Sequence, residues 1–281
     1  MIDLHTHSNV SDGTDTPRAL INKAHSAGIT VLALTDHDTT GGWDEATQYL
    51  RPGMDLVLGA EISCQTPEGV SVHMLGLLFD RENEPLASAM AQTRENRIGR
   101  MERIIGRMNE NGIEITIEDV YAQLSEGGTL GRPHLADALI AKGYAKSRDE
   151  IFADWLHNNS KYYIAHYSPT PEEAIALIKG AGGVAVIAHP LASLRGRTVS
   201  LDSFSSYIEA GMDGIEISHR DHSPEGQEIL NSVVKEFDLI PTGSSDYHGD
   251  GKLNQLAENQ TDPSAWERLQ AKAAHGRVIR L

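Results

Sequence analysis

Short apolar runs rich in β-branched residues alternate along the chain with amphipathic segments of helical spacing. Met1–His5 reads as a first strand, followed by a helix over Pro17–Ala27, with Pro17 suited to its first position and Gly28 to its stop. Thr30–Thr35 (TVLALT), Met54–Ile62 (MDLVLGAEI) and Val72–Phe79 (VHMLGLLF) read as buried strands. Val184–Ala188, Gly214–Ile217, Leu239–Gly243 and Val278–Leu281 continue the series. Strands alternating with helices predict an α/β domain on a mostly parallel sheet.

The stretch from Glu84 to Ala165 breaks this rhythm. It is helical and charged, and its run TRENRIGRMERIIGRMNENG fits one helix stopped by Gly112. It is too long for an ordinary crossover, so the expected layout is a barrel-forming part over 1–84, a small helical insertion over 85–165 that caps the site, and a second barrel part over 166–281.

Composition narrows the functional classes. The chain has 281 residues, 40% hydrophobic and 23% charged, as expected for a globular protein. A lone cysteine, Cys64, excludes an internal disulfide framework and a thiolate metal cluster. No run approaches the roughly 18 apolar residues of a membrane span. The opening MIDLHTHSNVSDG lacks the basic and apolar regions of a secretory leader, so a cytoplasmic location is expected. The formal net charge of −16 argues against a duplex-DNA partner. It says little against a small phosphorylated ligand, because a cluster of cations reverses the local potential.

Candidate chemistry sits at the strand ends. His5, His7, Asp12, His37, Glu61, His73, His134, His189, Asp246 and His248 stand at or just after them, where the loops of barrel-like α/β folds build active sites. His5 and His7 flank Thr6, so an extended backbone points both imidazoles to one face, the right spacing for two ligands on one metal ion. Mixed imidazole and carboxylate sites suit Zn²⁺, Mn²⁺ or Fe²⁺. Any one of these residues alone is more often structural. Their recurrence after successive apolar runs is what a structural role does not explain.

DLHTHSNVSDG, LALTDHDT, GAEIS, the following His73, GRPHLA, IAHP and GSSDYHG together resemble the polymerase-and-histidinol-phosphatase (PHP) superfamily of phosphoesterases. The resemblance runs over nearly the whole chain except the insertion. It implies a distorted (β/α)7 barrel with two or three divalent ions, Mn²⁺ first, with Zn²⁺ or Fe²⁺ as alternatives. Carried over, His5, His7, Glu61 and Asp246 bind one ion. Glu61 bridges to a second held by His73 and His134, and Asp12, His37 and His248 bind a third. Asp12 replaces a histidine of some relatives and favours a harder ion such as Mn²⁺. The insertion and the AHP segment resemble stand-alone bacterial members that act on nucleoside 3′,5′-bisphosphates or on the 5′ ends of short RNA.

Paired cations neutralise a dianionic phosphate ester and lower the pKa of water, leaving positioning and proton supply to the protein. His189 is a candidate for the acid or a phosphate contact, against a purely structural reading. Arg132 offers a guanidinium fork for phosphate. Arg195 and Arg197 in LASLRGRT, Lys161 and the Ser8 hydroxyl are further candidate contacts, and Asp36, beside His37, is expected to orient a metal ligand. Trp155, Tyr162, Tyr163 and Tyr167 either stack a base or pack the insertion, and His219 and the other histidines have no assigned role. The expected reaction is removal of the 3′-phosphate from a nucleoside 3′,5′-bisphosphate, with short oligoribonucleotides as related substrates. The rivals are histidinol phosphate hydrolysis and, in another class, a non-catalytic metal-binding regulatory module.

Overall fold

A computed structural model describes residues 1–124, 128–157, 160–164, 168–193, 196–276 and 278–281. Its sheet has seven strands in chain order: β1 (Ile2–Asp3), β2 (Val31–Leu34), β3 (Asp55–Gln65), β4 (Ser71–Leu77), β5 (Val184–Ala188), β6 (Gly214–Ser218) and β7 (Ile240–Gly243). All neighbours are parallel except β4, which runs antiparallel to both β3 and β5. A bridge between Thr6 and Tyr247 brings the first and last strands together, so the sheet is a nearly closed barrel.

Helices α1 (Pro17–Ser26), α2 (Trp43–Gln48), α7 (Pro171–Gly180), α8 (Ser203–Glu209), α9 (Pro224–Phe237) and α10 (Pro263–Lys272) accompany the strands. Thr16 caps α1 by accepting the Ala19 N–H, and Pro17 occupies its first turn. Gly28 follows with a φ of +80°, a conformation that costs a side-chain-bearing residue. No helix among the described residues is long and apolar enough to cross a membrane.

Strand alternation divides the core. Outward positions such as Leu32, Leu34, Ile187 and Ile215 pack with the surrounding helices. Inward positions such as Val57, Leu75, Val186 and Ile240 pack with Trp266 and Leu269 of α10, which plugs one end of the barrel. Continuing the same inward rows toward the other end gives Glu61 after Val57, His73 before Leu75 and Glu216 after Gly214. One face of each strand is thus apolar at the plugged end and titratable at the open end.

Two strand readings are corrected. Val278–Leu281 is not a strand: Ile279 makes only an isolated bridge to Leu56. The first strand is also shorter than Met1–His5, because Thr6 turns to pair with Tyr247 and accept from Thr35.

Between β4 and α7 lie α3 (Glu84–Glu110), α4 (Ile117–Tyr121), α5 (Arg132–Ala141) and α6 (Arg148–Ile151), which runs on into a π turn over Phe152–Leu156. As the run of charged residues predicts, α3 is one helix, capped by Asn111 ahead of Gly112. These helices bury their own apolar cluster, with Met101, Ile104 and Met108 of α3 against Leu135 and Leu139 of α5. Leu139 is fully buried there. Leu139→Ala should cost about 2–5 kcal/mol, read as a lower midpoint in urea unfolding.

Candidate metal centre

The residues closing the open end come from both ends of the chain. The Thr6–Tyr247 bridge, with the His7 N–H on the Tyr247 carbonyl at 2.9 Å, sets the HTH and SDYH segments side by side. A second bridge, His37 to Glu61, adds the TDH loop. His5 Nε2 and His7 Nε2 end 3.0 Å apart, as their spacing predicts.

Glu61 is at the centre and fully buried, and its two oxygens face different sets of imidazoles. Oε1 lies 2.8 Å from His73 Nδ1 and 3.2 Å from His189 Nε2. Oε2 lies 3.3 Å from His5 Nε2, 3.1 Å from His7 Nε2 and 3.2 Å from His37 Nδ1. Asp246 Oδ1 lies 3.4 Å from both His5 Nε2 and His7 Nε2. Asp12 lies 3.1 Å from His248 Nε2 and 3.8 Å from His37 Nε2.

Three groups converge closely enough for a shared cation: His5, His7, Glu61 and Asp246; His7, Asp12, His37 and His248; and His37, Glu61 and His73. The donor chemistry fits divalent ions. Glu61 Oε2, His37 Nδ1 and His248 Nε2 are buried without a hydrogen-bond partner. A buried polar atom left unmade is costly, and a cation removes that cost for all three.

Against their burial, Glu61, Glu216 and Asp246 hold the His5 ring well up, and Asp246 and Glu61 bring His7 to about 9, protons that a bound cation would displace. Burial alone would raise the Glu61 carboxyl, but His37, His73 and His5 around it hold it well below the ordinary range. Burial pushes His37 well down, and it is the largest influence bringing His248 to about 4. Both rings are therefore neutral at pH 7 and present bare nitrogens, the form a metal binds.

Not every expected residue joins the cluster. His73 does so from the beginning of β4, not the end of a strand, because β4 runs backwards. His189 converges on Glu61, whereas His134 lies at the start of α5, outside the three groups, with Nδ1 accepting the Gly131 N–H at 3.1 Å. Asp36 is buried behind the His7 loop, accepting from the Ser8 N–H, the Ser8 hydroxyl and the Ser11 hydroxyl. The Ser8 hydroxyl is thereby turned away from the cavity, and Asp36 reaches a candidate ligand, His7, through Ser11.

A cavity of about 750 Å³ opens over the cluster. Asp12, His37, Glu61, His73, His189 and Asp246 line one side, and Arg97, Arg100, Arg132, Phe152, Leu156 and Tyr163 line the side formed by the inserted helices. Arg132 donates to the Leu156 carbonyl at 2.6 Å, and Arg100 donates through Nε to the Ile164 carbonyl at 2.6 Å. Burial pulls both guanidiniums down, to about 10 and about 9, and the neighbouring arginines add to it. Arg97 is ion-paired with Asp38 at 2.7 Å. Arg197 lines the cavity and donates to the Glu68 and Gly69 carbonyls, while Arg195 lies outside the described residues. Lys161 donates to Asn111 and is not among the lining residues. Tyr163 reaches the cavity; Tyr162 and Trp155 pack in the helical cluster, and Tyr167 lies outside the described residues.

Sequence reasoning missed Glu216, His219, Arg97 and Arg100. Glu216 is fully buried, 3.2 Å from His5 Nδ1, and His219 Nε2 lies 3.5 Å from Asp246 Oδ2. The signal for Glu216 was an acid inside the apolar run GIEI, a position tolerated only with a partner. Arg97 and Arg100 fall three apart, on one face of α3.

The PHP domain family profile matches residues 3–153. The chain is 32% identical over 277 residues to the 3′,5′-nucleoside bisphosphate phosphatase of Chromobacterium violaceum, covering 96% of this chain and 97% of that protein. It is 32% identical over 251 residues to a 5′-3′ exoribonuclease of Haemophilus influenzae, covering 88% and 89%. The crystal structure of a protein from Bifidobacterium adolescentis assigned as a metal-dependent phosphoesterase superposes with a TM-score of 0.90 at 43% identity, over 97% and 96% of the two chains.

Proposed function

The chain belongs to the PHP domain family and is a phosphoester hydrolase of that metal-dependent kind, and on that premise we propose that it removes the 3′-phosphate of nucleoside 3′,5′-bisphosphates to leave the 5′-monophosphate. The observation that carries this reading is the two-ended cavity. One end holds the carboxylate and imidazole cluster; the other gathers Arg97, Arg100 and Arg132, with Phe152 and Leu156 between. That arrangement offers one place for the reacting phosphate, a separate cationic place for a second, and an apolar wall for a base. The name of the Chromobacterium violaceum relative supports the same choice.

In this reading His5, His7, Glu61 and Asp246 hold one divalent ion, and Asp12, His37 and His248 another. The remaining position falls to His73 and His189, both of which address Glu61 Oε1, in preference to His134. Such ions, Mn²⁺ first among the candidates, would supply charge neutralisation for the phosphate dianion and a lowered pKa for water when bound. The protein's own task is orientation. Glu61 holds the positions in register, and Arg100 and Arg132 fix the remote phosphate so that binding energy aligns the scissile bond. His189 then serves as a ligand, leaving it no role in proton delivery.

A second reading, stepwise removal of nucleotides from the 5′ end of short oligoribonucleotides, breaks a bond on the same kind of 3′ oxygen. It is favoured by exposed Arg197 and by Arg220 at the cavity edge, where a following nucleotide would lie.

The decisive assay uses 3′-phosphoadenosine 5′-phosphate with chelated and Mn²⁺-restored protein, with products identified by ³¹P NMR. Chelation should abolish turnover and Mn²⁺ restore it, giving 5′-AMP and phosphate. Release of the 5′-phosphate, or equal turnover without metal, would defeat the proposal. Preferential hydrolysis of histidinol phosphate would replace the substrate, and no hydrolysis of any phosphate ester would favour a regulatory module.

A further inference from the structure

Glu216 projects from β6 into the open end of the barrel and is fully buried, yet it touches none of the cavity. Its two oxygens are both used. Oε1 lies 3.2 Å from His5 Nδ1, and Oε2 accepts the backbone N–H of His189 at 2.8 Å. The other nitrogen of His5, Nε2, faces Glu61 and Asp246 at 3.3 and 3.4 Å. His189, for its part, has a φ of +32°, a left-handed backbone that a side-chain-bearing residue holds only when its surroundings impose it. In that conformation its Nε2 reaches Glu61 Oε1 at 3.2 Å.

We infer that Glu216 is a positioning residue shared by two metal sites, fixing the His5 tautomer at one and the strained His189 backbone at the other. The inference rests on the metal reading proposed above. An ionised carboxylate only accepts, so it draws the His5 proton to Nδ1 and leaves Nε2 bare toward the cluster. The same group holds the His189 amide in place, which aims that ring at Glu61. One carboxylate therefore ties together two ligands 184 residues apart in the sequence (189 − 5), and a change there should disturb both positions together.

Glu216→Gln separates this role from simple packing. The amide nearly preserves shape, but if its oxygen keeps the His189 N–H its NH₂ faces His5 Nδ1, which must then accept and move the ring proton to Nε2; turned the other way, it loses the His189 contact. The expected result is Mn²⁺ affinity weaker by about 10–100-fold in titration calorimetry, as for other partners of metal ligands. Lower metal content should survive gel filtration, and saturating Mn²⁺ should restore most of kcat. The metal-free variant should melt below the wild type whichever role holds, because a buried contact is lost; a purely structural role would lower that melt while sparing Mn²⁺ affinity. Should the variant not fold, the wild type loaded with Zn²⁺ answers by long-range ¹H–¹⁵N correlation on His5. A proton on Nδ1 is expected, and a proton on Nε2 overturns the inference. Equal affinities of variant and wild type also overturn it while leaving the metal reading intact; a wild type that binds no Mn²⁺ removes both.

Discussion

Glu61→Ala should lower kcat by on the order of 10³-fold or more while the barrel remains folded. No other side chain in the cluster faces both sets of imidazoles, with Oε1 toward His73 and His189 and Oε2 toward His5, His7 and His37. Removing it takes away the carboxylate common to two of the candidate cation groups. Folding should survive because the apolar packing lies elsewhere, against Trp266 and Leu269 at the plugged end and beneath the outer helices. Metal content by mass spectrometry, circular dichroism and steady-state rates should be read together. A variant with normal kcat and a full complement of metal would end the bridging assignment. Asp36→Ala makes a useful contrast. Its contacts reach the cluster only through Ser8, Ser11 and His7, so about a 10–100-fold loss is expected.

The second large effect concerns selectivity. 3′-Phosphoadenosine 5′-phosphate should show a far higher kcat/KM than 3′-AMP or 5′-AMP, and Arg132→Ala should erase much of the difference. A hydrogen bond to a charged group contributes about 1.5–3 kcal/mol, or roughly 10–150-fold. That loss should appear with the bisphosphate and be nearly absent with 3′-AMP, which has no second phosphate to hold. The same comparison with Arg100→Ala tests whether the neighbouring guanidinium shares the contact. Equal losses on both substrates would mean that Arg132 supports the helical segment through its Leu156 contact and does not read the remote phosphate. The net charge of −16 belongs to the same argument. A compact cationic recess in an otherwise acidic protein suits a small anion better than a long one.

Much of the centre was legible because metal chemistry restricts residue types and because each candidate followed an apolar run. His5, His7, His37, Glu61, Asp246 and His248 all come together where that pattern puts them. What local sequence does not encode is direction. Nothing in VHMLGLLF says that β4 runs against its neighbours, so the beginning of that run, where His73 stands, could not be assigned to the same end of the barrel as the ends of the other strands. The choice between His134 and His189 depended on where α5 lies over the barrel, which is a long-range property. Glu216 looked like any acid in a strand until closure of the sheet showed which way it points. The Arg97 and Arg100 pair was within reach, since helical spacing alone puts them on one face of α3, but which surface that face meets was not.

The pairing of Thr6 with Tyr247 has a consequence for how the protein comes into being. A ribosome delivers His5 and His7 at the start of synthesis and Asp246 only after some 240 further residues (246 − 5 = 241). The nascent chain thus carries three of the four candidate ligands of that site, Glu61 being the third, and the set is complete only when the last strand docks beside the first. Loops of this span close slowly, because the entropy of bringing distant segments together precedes any reward from their contact. Once captured, the ion acts as a clasp on the seam of the barrel and favours the closed form by about 2.7 kcal/mol at a hundredfold excess over its Kd. Closing the seam and completing this four-residue site are then one event, which a chain cut before Asp246 cannot reach.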